Sequence, residues 1–207
     1  MTTTTLLIAR HGNTFGPGDT VTYVGGRTNL PLVDSGKEQA RAIGRYLKDG
    51  RLIPDVIYSS HLQRTQETAA IAVKESGISN PVFTLDIFNE IDYGPDENKT
   101  REEIIARIGE KALIDWDEHN IIPPGWTASA DEIIKNWVEF ADHARAHDDN
   151  ETILVVTSNG IARFAPYITG DYPGFLTRHS PKMSTGGLSI FKFIGGKWVI
   201  EGWNIKP

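Results

Sequence analysis

Short apolar runs alternating with amphipathic stretches are the feature that most constrains this chain. Leu6 to Ala9, Asp55 to Ser59, Val82 to Leu85 and Thr152 to Thr157 each read as a strand. Helical spacing relates Ala40, Ile43 and Leu47 after Ser35-Gly36, then Leu62, Thr65, Ala69 and Val73, and later Ile134, Trp137, Ala141 and Ala144. Strands alternating with helices imply a largely parallel sheet covered on both faces. Two final runs, Leu188 to Ile194 and Lys197 to Trp203, flank Gly195-Gly196, which reads as a hairpin turn. The expected fold is therefore α/β, a three-layer α/β/α arrangement around a mostly parallel mixed sheet with a C-terminal hairpin.

Two segments depart from the alternation. Phe15 to Leu32 is glycine-rich and polar and is expected to be a loop. Residues 88–128 are long for a crossover and carry Pro123-Pro124-Gly125, and Ile104, Ile108 and Ala112 share one helical face. They are expected to form a helical insertion over the sheet edge, of the kind that closes substrate sites. Ser60 followed by Gln63 predicts a capping box at the start of the second helix. The whole chain, 1–207, is expected to be one domain carrying that insertion.

The chain holds no cysteine, so disulfides, thiol nucleophiles and thiolate metal sites are excluded. A net charge of −6 argues against nucleic acid as the main partner. No apolar run is long enough for a membrane span. The first run is short and has no basic segment before it, so no secretory signal is expected and the expected compartment is the cytoplasm.

Chemistry-bearing residues collect behind the strand-like runs. Arg10-His11-Gly12 follows the first, Ser59 to Arg64 the second, Glu90 the third, and Ser158-Asn159-Gly160 the fourth. In a parallel sheet all four pieces lie at the carboxyl edge, where ligands bind. Arg10 and Arg64 can hold phosphate oxygens with charge-assisted hydrogen bonds, and a helix starting near Asn159 would add backbone N–H groups. The imidazole of His11 beside those guanidinium groups suggests an anionic substrate and a nitrogen nucleophile. Taken alone, an Arg-His pair at a strand end is more often structural; the four pieces in order carry the inference.

These motifs resemble the histidine phosphatase superfamily, which includes the cofactor-dependent phosphoglycerate mutases. Arg10-His11-Gly12-Asn13-Thr14 is similar to the family's Arg-His-Gly signature. Thr28-Asn29-Leu30-Pro31-Leu32 with Gly36, Gln39 and Ala40 is similar to the segment that follows it, and Ser59 to Ala69 to the second arginine motif. Glu90-Ile91-Asp92-Tyr93-Gly94 resembles the segment that supplies the acid. The resemblance implies a phosphoglycerate mutase-like fold and a phosphomonoesterase working through phosphohistidine, without a metal or other cofactor. His11 would attack phosphorus, Arg10 and Arg64 would hold the phosphoryl oxygens, and Glu90 would protonate the leaving oxygen and then activate water. Gly12, Asn13, Thr14, Arg27 and Gly160 would complete a site for a small phosphorylated metabolite.

Two departures leave alternatives open. The family places a second histidine where this chain has Asn159, a neutral amide that still donates but carries no charge. That substitution implies a slowed enzyme, with a phosphate-binding or regulatory protein as the alternative. After Glu90 the chain reads Gly94-Pro95-Asp96-Glu97-Asn98-Lys99 instead of Trp-Glu-Gly. This ranks a mutase below a phosphatase and leaves Asp92, Asp96 and Glu97 as rivals to Glu90. Arg27, Trp116, Trp126 and Lys182 are candidate selectors of the substrate. His61 is a candidate for the pocket and His179 a weaker one, whereas His119, His143 and His147 read as surface residues. Substrate identity and homo-oligomerisation stay open.

Overall fold

The computed structural model describes residues 3–147 and 151–207, with His147 described by its backbone alone. Its core is a six-stranded sheet in the order β3-β2-β4-β1-β5-β6. The strands are β1 (Thr5–Arg10), β2 (Val56–Ser59), β3 (Val82–Thr84), β4 (Thr152–Thr157), β5 (Leu188–Ile194) and β6 (Lys197–Ile205). β1 to β4 are mutually parallel, while β5 runs antiparallel to β1 and β6 antiparallel to β5. The α/β fold is thus the mixed sheet that the alternating runs predict, closed by its hairpin. Gly195 and Gly196 both have positive φ, 60° and 82°, which is the backbone of a two-residue turn matched to strand twist.

Side-chain alternation along the strands divides the core into two layers. Leu7 and Ala9 face α1 (Asp34–Asp49) and α2 (Gln63–Ser76), where they pack with Ile43, Leu47, Ala69 and Val73. Leu6 and Ile8 face the other layer, which α3 (Arg101–Ile108), α4 (Glu110–His119) and α5 (Ala130–His147) help to build. Phe88, Trp116, Trp126 and Trp137 fill that layer. The shorter helices α6 (Asn159–Ala162) and α7 (Tyr172–Leu176) follow β4.

Local details differ from expectation in three places. The helix expected around Ile104, Ile108 and Ala112 is two helices, because Gly109 takes φ 82° and ends α3 before α4 begins. No capping box forms at α2: its N-cap is Leu62, and Ser60 instead bonds the Thr65 hydroxyl and accepts the Leu62 N–H. The capping box is at α3, between Thr100 and Glu103. On α5 the buried stripe runs through Ile133 rather than Ile134, since Ile133, Trp137, Ala141 and Ala144 are the covered set. The surface placement expected for the His147 side chain lies outside the described residues, while His119 and His143 are exposed.

Residues 15–33 contain no helix or strand, as their composition predicts, yet they are stitched down. The Leu32 N–H donates to Glu67, the Tyr23 N–H to the Lys99 carbonyl, and the Asn98 N–H to the Tyr23 carbonyl. Chain ends of β1, β2 and β4 open beneath this loop. Among the described residues no helix is long and apolar enough to cross a membrane.

Candidate active site

The His11 N–H donates to the Thr157 carbonyl, so the ends of β1 and β4 are joined where the sheet stops. The next residue must pass very close to α1. A Cβ on Gly12 would sit 2.3 Å from the Gly36 carbonyl oxygen, and one on Gly36 would sit 2.2 Å from the Asn13 carbonyl oxygen. Only glycine at both positions lets the backbone touch there. The turn this contact creates delivers Arg10, His11, Asn13 and Thr14 to one cavity of about 370 Å³, which Glu90 and Asn159 also line.

His11 is buried and its two ring nitrogens have different partners. Nδ1 lies 2.7 Å from the Gly12 carbonyl oxygen, which only accepts, so Nδ1 carries the proton. Nε2 accepts from Arg64 Nε–H at 3.1 Å and therefore bears the lone pair. Burial, then Arg64 and then Arg10, hold the imidazole well below its ordinary value, against the opposing pull of the Gly12 carbonyl. The ring is thus a neutral base whose Nε2 lone pair is held by Arg64.

Arg64 is fully buried, and the loop over the site supplies its acceptors. Nη1 donates to the Thr28 carbonyl at 2.7 Å, and Nη2 to the Val24 and Gly25 carbonyls at 3.3 and 3.2 Å. Arg64 is not among the residues that line the cavity and meets the site through His11 Nε2. Arg10 donates from Nη1 to the Met183 carbonyl at 2.6 Å, and its buried Nε has no partner. Arg10 as a residue lines the cavity.

Asn159 is tied to the same backbone unit. Its Oδ1 accepts the Met183 N–H at 3.0 Å. The amide is thereby oriented, with the donating nitrogen left for the cavity. One peptide segment at Met183 thus sets both Arg10 and Asn159.

The four carboxylates have different surroundings. Glu90 lines the cavity, whereas Asp92 pairs with Arg27, Asp96 is held by Arg107 and Trp126, and Glu97 accepts the Gly25 and Tyr93 N–H groups. Arginine and N–H partners hold Asp92 and Asp96 below the usual carboxylate range, against burial, the largest single influence on each. Glu90 goes the other way: burial raises it, and Arg64, the Gly160 and Ile91 N–H groups and Arg10 oppose the rise. Its Oε2 also accepts the Tyr93 hydroxyl at 3.3 Å.

Several expected contacts fall elsewhere. Arg27 does not line the cavity; its Nε donates to Asp92 at 2.9 Å and its Nη2 to the Gly94 carbonyl at 2.6 Å. Gly12 works through its backbone, accepting from His11 and donating to Thr68 Oγ1. Gly160 donates its N–H to Glu90 at 3.1 Å, so the start of α6 serves the carboxylate and not a phosphate. The Asn13 side chain lines the cavity but bonds Ser35 and Thr185. His61 bonds Asp86 at 3.1 Å in an exposed position, and His179 lies against Phe175. Trp126 is buried behind Tyr93, with its Nε1 on Asp96.

The rest of the cavity lining was only partly foreseeable. Trp116 and Lys182 belong to it, together with Phe15, Tyr23, Tyr93 and Asp117. Asp117 lies between two cations, 3.2 Å from Arg101 and 3.7 Å from Lys182. Asp117 and the buried Arg163 carry no local sequence signal that separates them from ordinary helix residues.

Comparison with known proteins agrees with this geometry. The model of the histidine phosphatase superfamily (branch 1) matches residues 6–206. The chain is 28% identical over 205 residues to the uncharacterized phosphatase PhoE of Bacillus subtilis, covering 98% of this chain and 95% of that one. It is 26% identical over 158 residues to the 2,3-bisphosphoglycerate-dependent phosphoglycerate mutase of Bartonella quintana, covering 75% and 76%. Among solved structures, phosphoserine phosphatase of Entamoeba histolytica superposes with a TM-score of 0.75 at 23% identity, covering 98% and 97%.

Proposed function

The chain belongs to the histidine phosphatase superfamily, and on that premise we propose that it hydrolyses small phosphomonoesters through a phosphohistidine on His11. The observation that carries the reading is the fixed tautomer of His11, with Nδ1 donating to Gly12 and Nε2 left as the accepting nitrogen, on a ring that lines the same cavity as Glu90. In the first step Nε2 attacks phosphorus. The bond from phosphorus to the ester oxygen breaks, and that oxygen takes the proton of Glu90, which burial keeps available above the ordinary carboxylate range. In the second step Glu90 accepts a proton from water. The water oxygen bonds phosphorus, the P–N bond breaks, and its electron pair returns to Nε2.

Charge on the transferring phosphoryl group would be met by the Arg10 guanidinium, by Arg64 and by the Asn159 amide. A phosphoryl oxygen would take over the Arg64 Nε–H that now rests on His11, freeing the lone pair for attack. The substrate is a small phosphorylated metabolite whose leaving group meets the aromatic wall. Hydrolysis, rather than return of the phosphoryl group to a sugar acid, fits the chain's similarity to PhoE over nearly its full length.

A panel of phosphometabolites and p-nitrophenyl phosphate, assayed with and without chelator, tests the proposal. Wild type is expected to hydrolyse part of the panel regardless of chelator and to form an acid-labile phosphoryl adduct. His11→Ala is expected to lose both. Undiminished turnover in that variant would sink the mechanism, and tight binding without turnover in wild type would favour a binding protein.

A further inference from the structure

Arg163 lies four residues beyond Asn159 and is fully buried, yet its guanidinium serves the end of a distant helix. Nη2 donates to the Trp116 carbonyl at 2.6 Å and to the Asp117 carbonyl at 2.9 Å. Nε donates to Asn120 Oδ1 at 2.6 Å, and the group lies 3.9 Å from the centroid of the Trp116 ring. Asn120 ends α4 in left-handed backbone, φ 58°, and its amide nitrogen returns to the Arg163 carbonyl at 3.2 Å and the Tyr172 hydroxyl at 2.8 Å. Trp116 and Asp117 are the two wall residues supplied by α4, while Asn159, on the same short segment as Arg163, stands at the phosphoryl end.

This link is costly as packing alone. Burial pushes the Arg163 guanidinium down to about 10, and Nη1 has no partner. An apolar side chain of similar volume generally stabilises such a site as well or better. What the planar fork adds is fixed geometry: two carbonyls, one amide and one ring are set at once. We infer that Arg163 is a positioning residue that sets the distance between the phosphoryl end and the leaving-group wall, and so determines which leaving groups the site accepts. The inference rests on the phosphatase reading above. It assigns no contact with substrate to Arg163 itself.

Two substrates separate positioning from simple support. The ring of p-nitrophenyl phosphate must lie against Trp116 and its neighbours, whereas the acetyl group of acetyl phosphate is too small to depend on them. In Arg163→Lys and Asn120→Ala, KM for p-nitrophenyl phosphate is expected to rise about tenfold, the scale of one altered pocket contact. The kcat for acetyl phosphate is expected to stay within about twofold of wild type. Melting curves establish that each variant is folded, and Asn120→Ala decides alone if Arg163→Lys is not. Equal losses on both substrates would make Arg163 a scaffold residue and overturn the inference, as would unchanged KM values. A wild type that hydrolyses neither substrate would overturn the phosphatase reading itself, and the inference with it.

Discussion

Asn159→His tests whether the neutral amide limits this enzyme. The charge-based argument expects a gain, because an imidazolium would stabilise the transferring phosphoryl group. The structure predicts otherwise. Asn159 Oδ1 accepts the Met183 N–H at 3.0 Å, and the ring Nδ1 of a histidine would take that place. Protonating it would set a donor against a buried donor, a penalty of about 1–3 kcal/mol. That is about one to two units off the ordinary value of about 6.5, and Arg10, bonded to the same Met183 backbone, pushes in the same direction. The new imidazole would be neutral at pH 7, donating from Nε2 much as the amide does. Turnover is therefore expected within about threefold of wild type, or about 0.7 kcal/mol in the barrier. The assay is the pH–rate profile of p-nitrophenyl phosphate hydrolysis between about pH 5 and 9, with Asn159→Ala as the control that loses about 10²–10³ in kcat. A gain of about tenfold or more in Asn159→His, with a new ionisation near pH 6–7, would refute the reasoning.

Glu90→Gln should lower kcat/KM for alkyl phosphates much more than for p-nitrophenyl phosphate, whose leaving group needs no proton; equal losses in kcat/KM would remove Glu90 as the acid. Because burial raises Glu90, its proton persists above the ordinary carboxylate range and is lost as pH rises through the raised value, so kcat/KM for alkyl phosphates should fall on that side while that for p-nitrophenyl phosphate does not. Gly160→Ala places a Cβ 2.2 Å from Glu90 Oε1, and about 10²-fold loss of kcat is expected from the displaced carboxylate. Arg27→Ala should leave kcat and KM unchanged, since Arg27 pairs with Asp92 outside the cavity; steady-state kinetics check this. The lowered His11 also predicts a stability slope: the unfolded chain takes up a proton near pH 6.5 that the folded site refuses. Stability should hold above that pH and decline as pH falls below it, a decline that calorimetry should find reduced in His11→Asn.

Strand order along the chain, the parallel sheet, the closing hairpin and the meeting of four motifs at one edge were legible without coordinates. Each rests on local periodicity or on topology, and both are written in short windows: Leu6 to Ala9 alternates faces, and Gly195-Gly196 can only turn. The identity of His11, Arg10, Arg64 and Glu90 as one group followed from placing their segments behind parallel strands. What local sequence cannot specify is where a hydrogen bond goes once distant segments touch. Arg27 and Arg64 are both arginines near the expected site, yet one meets Asp92 and the other His11. Glu90 and Asp96 are both carboxylates within seven positions, yet burial raises one and Arg107 lowers the other. The Gly12 carbonyl that sets the His11 tautomer, the Met183 peptide that orients Asn159 and the Arg163 fork on α4 all arise from contacts across the fold. Residue types and their order therefore determined the chemistry available to this chain. Its electrostatics, its proton positions and the shape of its cavity were decided only by tertiary packing, because partner and burial, rather than residue type, set the charge and direction of a polar group.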